Sequence, residues 1–278
     1  RRFENAGKLN TKGVELAVNY QVNDNYNTGI VLSTYKTVLD EYVLEQEMRA
    51  NLGAPGQNAT AVIRVKQGEE IGQIWGPVFE GVDASGAPIL ANLNGGDLVV
   101  GQDQALNPEV DFTELGNGIP DLELGWTNQV TFGEWTVNAF FRGAFGHSLV
   151  NTFRAFYEPR ISTQSSYNYV TTDLAPEGLT SARFSSLYVE KADFFKLDNL
   201  TVTRNIDTSN IAGIDGLQIS LNAQNPFVIT NYTGLDPEPA LVDIGEDGNG
   251  ADVLSPGLDR RNSYFAARSF TLGINVKF

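Results

Sequence analysis

Residues Ala267–Phe278 read ARSFTLGINVKF, a strict alternation that runs to the last residue. Phe270, Leu272, Ile274, Val276 and Phe278 form one row; Ser269, Thr271, Gly273, Asn275 and Lys277 form the other. Successive side chains of a β-strand point to opposite faces, so one face here is wholly apolar and the other small or polar. Two architectures use such a strand. A soluble sandwich buries the apolar row in its core, whereas a transmembrane barrel turns it to lipid and lines its lumen with the polar row. The strand alone leaves both open.

Working outward from it, alternation and turn chemistry predict about seven strands. GVELAVNYQV and NYNTGIVLSTYKTV flank the turn NDN at Asn23–Asn25. LELGWTNQVTF and WTVNAFFRGAFG flank Gly133-Glu134, and FFKLDNLTVTRN and GLQISLNAQN flank a turn containing Gly213 and Gly216. Long stretches rich in Gly, Asn and Pro follow Val38, Ser148 and Pro226 and read as irregular. The best helical stretch is DEYVLEQEMRA, Asp40–Ala50. Short and long connections therefore alternate without exception. Barrels of the outer membrane put short turns on the periplasmic side and long loops outside, while sandwiches show no such order, which favours the barrel. Seven is an odd number where bacterial single-chain barrels are even. Further strands are expected before the first, and the chain, whose only methionine is Met48, reads as cut at its N-terminus and complete at its C-terminus.

Composition narrows the function. A formal net charge of −15 opposes binding to nucleic-acid phosphates. The absence of cysteine rules out disulfides, thiolate metal sites and cysteine nucleophiles. A single histidine, His147, rules out a histidine-rich metal site and is the only histidine a Ser-His-Asp triad could use. No apolar run reaches the roughly 20 residues of a membrane-spanning helix.

Several segments are similar to one family. NAGKLNTKGVEL (Asn5–Leu16) resembles an N-x-G-x-x-x-N-K-G-V-E-L strand entry, with Thr11 in place of the second Asn. GEEIGQIWGPVFEGV (Gly68–Val82), LGNGIPDLELGWTNQV (Leu115–Val130), FFKLDNLTV (Phe194–Val202), NAQNPFVITNYTGLDPE (Asn222–Glu238) and the closing RSFTLGINVKF follow in the family's order. TVTRNIDTS (Thr201–Ser209) departs from the family's usual aromatic-then-proline strand end. The chain thus resembles the C-terminal part of SusC/RagA-like TonB-dependent outer-membrane transporters across residues 1–278. The resemblance implies an all-β fold: the C-terminal portion of a large antiparallel transmembrane barrel of about 22 strands with long extracellular loops and a periplasmic C-terminus. It gives no counterpart to the plug domain or early strands. It also implies TonB-powered import of oligosaccharides or peptides, a SusD-like lipoprotein partner, a TonB complex acting through the missing plug, contact with outer-membrane lipid, and no catalysis. The alternative is a soluble β-rich carbohydrate-binding or adhesin domain.

Candidate site residues follow. Trp75 and Phe79, in IWGPVFEG, and Tyr232 and Asp236, in NYTGLDPE, are candidates for contact with substrate or partner. Trp126 and Trp135 flank the Gly133 turn and are expected in the aromatic girdle at the periplasmic interface. Phe270, Leu272, Ile274, Val276 and Phe278 are expected to face lipid. Asp236 and Glu238 could be read as a glycosidase pair, but the Asp-Pro and Glu-Pro steps favour a turn. DIGEDGNGAD offers Asp243, Glu246, Asp247, Asn249 and Asp252 as oxygen ligands for Ca²⁺; its spacing is not that of an EF-hand, and a solvated acidic loop is the simpler reading. No other cofactor is expected.

Overall fold

The computed structural model describes residues 7–43, 47–53, 60–93, 97–99, 106–107, 109–160, 168–181, 183–239, 256–260 and 266–278. Seven long strands form one antiparallel sheet: β1 (Gly7–Asn23), β2 (Tyr26–Tyr42), β3 (Leu122–Phe132), β4 (Trp135–Phe145), β5 (Phe194–Ile206), β6 (Gly216–Thr230) and β7 (Ser269–Lys277). They lie in sequence order, each paired with its neighbour, and β1 and β7 are the two edges. These are the seven strands expected from alternation. The hairpin turns at one end use the chemistry expected of them. The Asn25 N–H donates to Asn23 Oδ1 at 2.9 Å, Gly133 has φ +58°, and the Ser209 N–H donates to Asp207 Oδ1.

The register assigns two faces. Cross-strand partners share a face, and one row runs Tyr26, Val130, Val137, Val202, Leu221, Leu272. The row two residues nearer the loops begins Thr28–Asn128 and continues Ala139, Leu200, Ala223, Phe270. On β1 the same face carries Val14, Leu16, Val18 and Tyr20, all well exposed; Phe270, Leu272 and Ile274 on β7 are each about two-thirds exposed. Among the described residues no second sheet or helix layer covers this face, which excludes a sandwich core. The opposite face carries the row Gln21, Asn27, Gln129, Asn138, Thr201, Asn222, Thr271. Beside it runs Asn19, Gly29, Thr127, Phe140, Asn199, Gln224, Ser269.

Several polar groups that fall on the apolar face bond one another, with the Asn128 Nδ2 left as a buried donor without a partner among the described residues. Tyr26 Oη donates to Asn128 Oδ1 at 2.7 Å, Thr28 Oγ1 donates to the same oxygen at 3.1 Å, and Trp126 Nε1 donates to Thr28 Oγ1 at 3.0 Å. Trp126 also stacks on Phe141, and Phe141 on Phe195, at centroid distances of 5.0 and 5.5 Å.

The segments read as irregular are partly folded. Four short strands, Met48–Asn51, Ala61–Arg64, Gln73–Gly76 and Thr113–Asn117, make one small sheet. Phe79–Val82, Pro88–Ala91 and Asp97–Val99 make a second, and Val189–Lys191, Ser148–Asn151 and Leu258–Asp259 a third. Together with a short helix, α1 (Thr152–Tyr157), they form a cap at the loop end. Its core contains Leu39, Leu52, Val62, Ile63, Ile74, Val150, Phe184 and Tyr188. The helix expected over Asp40–Ala50 is not formed: Asp40–Tyr42 continue β2, pairing across to Gly7 and Lys8, and Met48–Ala50 lie in a strand. Pairing along an existing hairpin overrides a weak local helical preference.

The cap is closed by tight contacts between segments far apart in sequence. At Gly118 a Cβ would run into Gly257 and the Pro256 carbonyl. Gly118→Ala is therefore expected to destabilise the cap by about 1–3 kcal/mol, as overpacking does, leaving the seven-stranded sheet intact. Hydrogen exchange should quicken at residues 113–119 and 256–259 while β3 and β4 keep their protection.

Candidate functional site

The loop cap holds a buried ion cluster built on α1. Asn151 caps the helix, its side chain accepting the Arg154 N–H at 3.1 Å, and Arg154 then points into the cap interior, 3% exposed. All five of its N–H donors are used. Nε and Nη2 grip the Glu158 carboxylate at 2.7 and 3.2 Å, Nη1 donates to Glu190 at 2.9 Å and to the Leu187 carbonyl, and Nη2 also reaches the Leu174 carbonyl. Glu190 accepts the backbone N–H and the hydroxyl of Thr233 and the Asn151 amide. Burial pushes the Glu190 carboxyl up, but the bonds from Thr233 and Arg154 more than offset this and hold it below its ordinary 4.5. Beside it Tyr232 Oη donates to Asp259 Oδ2 at 2.9 Å. Burial and the neighbouring carboxylate push the phenol up, and burial raises Asp259 as well. The cluster ties the loop after β4 to the loop after β6.

A second charged group sits at the cap-end margin of the polar face. Arg142 and Lys196 are cross-strand partners, an arrangement of like charges that is unfavourable alone. Asp198 and Glu238 neutralise it. Arg142 contacts Asp198 at 3.3 Å and Glu238 at 2.7 Å, and Lys196 contacts Glu238 at 2.7 Å and Asp198 at 3.2 Å. Asp198 belongs to a bulge in β5, facing a second irregularity at Asn225-Pro226 in β6.

The sequence candidates fall apart spatially. Trp75, half-buried, lies on the first cap sheet with the Arg64 guanidinium 4.1 Å from its ring. Phe79, also half-buried, lies on another, its N–H donating to Ser186 Oγ. Tyr232 is 6% exposed and serves as an internal pillar, which corrects its reading as a contact residue: its one polar atom is committed to Asp259. Asp236 forms a turn, its two carboxylate oxygens accepting the Glu238 and Ala266 N–H groups. With Glu238 held by Arg142 and Lys196, the glycosidase pairing has no geometric basis. His147 is buried, Nε2 lying 3.0 Å from the Pro237 carbonyl and the ring edge-on to Phe194. Trp135 closes the turn opposite Phe132, with the Arg204 guanidinium 5.1 Å from its ring. Trp126 does not flank that turn: it pairs with Phe141 in mid-strand, six residues and about 20 Å along β3 from Phe132. Val276 belongs to β7, and Phe278 lies just beyond it, 85% exposed. The acidic loop with Asp243, Glu246, Asp247, Asn249 and Asp252 lies outside the described residues. Among the described residues no group of three or more His, Asp or Glu is placed to hold a metal.

Sequence reading missed the Arg154 and Arg142 clusters. The i,i+4 spacing of Arg154 and Glu158 in TFRAFYEPR was a signal for the first. The second had none, because its members converge only through register.

Removing one partner of a buried ion pair costs about 3–5 kcal/mol, so Arg154→Ala should lower the unfolding midpoint of the cap sharply. The pH dependence has a defined sign. Glu190, depressed when folded, contributes stability present above its ordinary 4.5 and lost as pH falls through its lower folded value. Asp259, raised when folded, acts oppositely and loses stability for the cap as pH rises above its ordinary 3.8. Thermal unfolding of Glu190→Gln should show a weaker acid-side decline than wild type; an unchanged decline would remove Glu190 from the account.

No family model matches the chain. The TonB-dependent receptor P3 of Formosa agariphila is 26% identical over 303 residues, covering 100% of this chain and 29% of the relative. The TonB-dependent receptor SusC of Bacteroides thetaiotaomicron is 23% identical over 169 residues, covering 57% of this chain and 15% of SusC. The chain thus spans less than a third of the length of these relatives. Its fold matches a chain of the RagAB peptide importer in the closed-closed state with a TM-score of 0.70 at 17% identity, covering 99% of this chain and 30% of the other. The open-open state gives a TM-score of 0.66.

Proposed function

We propose that this chain, a barrel segment of the SusC/RagA-like TonB-dependent receptors, forms part of the wall of an outer-membrane importer of bulky nutrients. The observation that carries the reading is the register. Across seven strands it holds one face apolar and uncovered and the other polar, as a wall between lipid and an aqueous lumen requires. The folded cap lies at the extracellular end, the three short turns and Phe278 at the periplasmic end. Trp135, at a turn and beside Arg204, suits the periplasmic aromatic girdle. A SusD-like lipoprotein covers the cap side, and energy reaches the barrel through TonB and a plug supplied by the rest of the protein. Cargo is an oligosaccharide or a peptide; the RagAB importer is named for peptides.

The open sheet supports the same conclusion. In hydrocarbon an unpaired backbone N–H or C=O costs several kcal/mol, so the outer edges of β1 and β7 need partner strands from the remainder of a closed barrel.

The two faces of β7 test the reading by parity. Leu272→Arg should destabilise the full-length barrel by about 2–4 kcal/mol if it reaches the bilayer midplane, whereas its neighbour Thr271→Arg is tolerated. Equal tolerance of both, read from folded barrel in outer-membrane fractions, would overturn the lipid-facing assignment. Sidedness is tested by cysteine labelling of intact cells with a membrane-impermeant maleimide. Ala84→Cys and Asp173→Cys, exposed in the cap, should react; Asp24→Cys and Glu134→Cys, exposed in the hairpin turns, should not. Labelling at Glu134 in sealed cells would reverse the topology.

A further inference from the structure

Near its turn end the apolar face carries an arginine. One row beyond Val137 and Val202, toward the hairpin turns, the register runs Phe132, Trp135, Arg204, Ile219, Ile274. Phe132 is 53% exposed and Ile274 64%, so the row lies uncovered. The rows on either side bring no acid to the arginine: Val202, Leu221 and Leu272 lie inward, and Ile206, Leu217 and Val276 outward. Among the described residues its one ion pair is with Glu134, whose Oε2 stands 3.6 Å from Nη2, both side chains about half exposed. That separation is longer than a hydrogen bond. The Trp135 ring supports the guanidinium, its centroid 5.1 Å from Cζ. Arg204 therefore holds five N–H donors at the rim of an apolar face, with a carboxylate beside them that does not take them up. It lies in TVTRNIDTS, the stretch that departs from the strand end the chain otherwise resembles. An arginine so placed extends its head from the apolar surface toward water or headgroups.

We infer that Arg204 and Glu134 form a binding site for the zwitterionic headgroup of an ethanolamine phospholipid in the periplasmic leaflet. The inference rests on the wall reading, which turns this face to lipid and this end to the periplasm. A phosphate diester accepts from a guanidinium fork through both of its free oxygens. The ethanolamine ammonium, on a two-carbon arm from that phosphate, donates to the Glu134 carboxylate. Arg204 belongs to a strand and Glu134 to the turn beyond it, so the cation lies nearer the bilayer and the acid nearer water. The headgroup presents its charges in the matching order, phosphate at the glycerol end and ammonium at the free end. An anionic headgroup fits less well, because Asp207 and Asp215 gather at this end with Glu134, while Lys277 lies on the polar face, in line with Asn275. A choline headgroup has no N–H to give the carboxylate.

The test uses the full-length protein in detergent as wild type, Arg204→Gln and Glu134→Gln, each shown to be an assembled barrel by heat-modifiable migration. Each is mixed with equal amounts of dioleoyl phosphatidylethanolamine, phosphatidylglycerol and phosphatidylcholine, and bound lipid is counted by native mass spectrometry. The wild type is expected to retain the ethanolamine lipid over both others. Arg204→Gln should weaken that retention about fivefold, the upper range for an exposed ion pair. Glu134→Gln should also weaken it, while phosphatidylglycerol binds as before or better. This opposite response marks a zwitterion, and because Glu134 lies in an exposed turn it can be read even where Arg204→Gln fails to assemble. Preference of the wild type for phosphatidylglycerol, strengthened by Glu134→Gln, overturns the inference in favour of a plain anion site. Equal retention of the ethanolamine lipid by wild type and Arg204→Gln also overturns it. The wall reading fails separately, when Leu272→Arg is tolerated as well as Thr271→Arg. A wall that passes that test without an ethanolamine preference loses only this site.

Discussion

Parity of strand register is the constraint on which everything else in this molecule depends. Side chains alternate with a period of two, so a slip of one residue would exchange the whole apolar face for the polar one. Six strand pairings in succession must therefore agree. They do so even where the sequence does not alternate cleanly. Counting by twos from Leu200 would put Asp198 on the apolar face. The bulge in β5 takes Asp198 out of the alternation, and the paired irregularity at Asn225-Pro226 resets β6 at the same height, so that Leu197 still meets Phe227. Asn225 accommodates this with φ +49°, and Pro226 sits where the ladder is already interrupted and no N–H is needed. The carboxylate is delivered instead to Arg142 and Lys196.

That local correction explains why the charged rim exists where it does. Arg142 and Lys196 face each other across two strands, and each would be costly without the acid that the bulge turns toward them. Glu238 adds the second negative charge from the loop after β6, so the wall and the cap are joined by the same ion group. The cap has its own internal tie, Arg154 with Glu158 and Glu190, buried deeply enough that its geometry must be satisfied at every donor. Two paired charge clusters thus stand at the cap end, while the rows from Phe140 to Ser220 carry uncharged hydrogen-bonding groups.

The sheet was legible in the sequence because a wall exposed to two different environments on its two faces imposes strict alternation over long strands. GVELAVNYQV, LELGWTNQVTF and SFTLGINVKF each carry that signal over nine residues or more. The cap was not legible for the converse reason. Its strands are mostly four residues long, Gln73–Gly76 and Ser148–Asn151 among them, too short for a period to emerge, and Ser148–Asn151 is buried on both faces. The same brevity hid the fate of Tyr232, whose aromatic ring in a Gly- and Pro-rich segment suggested display rather than burial. Trp126 is near the Gly133 turn in sequence but not in space, because a strand carries each residue about 3.3 Å further away.

The distribution of charge follows from these constraints. A residue in a strand of this sheet has only two destinations, and on the apolar one Tyr26, Thr28 and Trp126 each find a partner for the polar atom of their side chain. The polar face is free of that demand, and its lower rows are filled by carboxamides and hydroxyls. Lysine or glutamate at Gln21, Gln129 or Asn222 would face the same aqueous side as the carboxamides now there. The carboxamides there bond one another across strands, Asn222 to Asn199 and Thr201, and Gln218 to Asn205. Polar groups on each face thus pair locally, and the register keeps the apolar rows on the uncovered side.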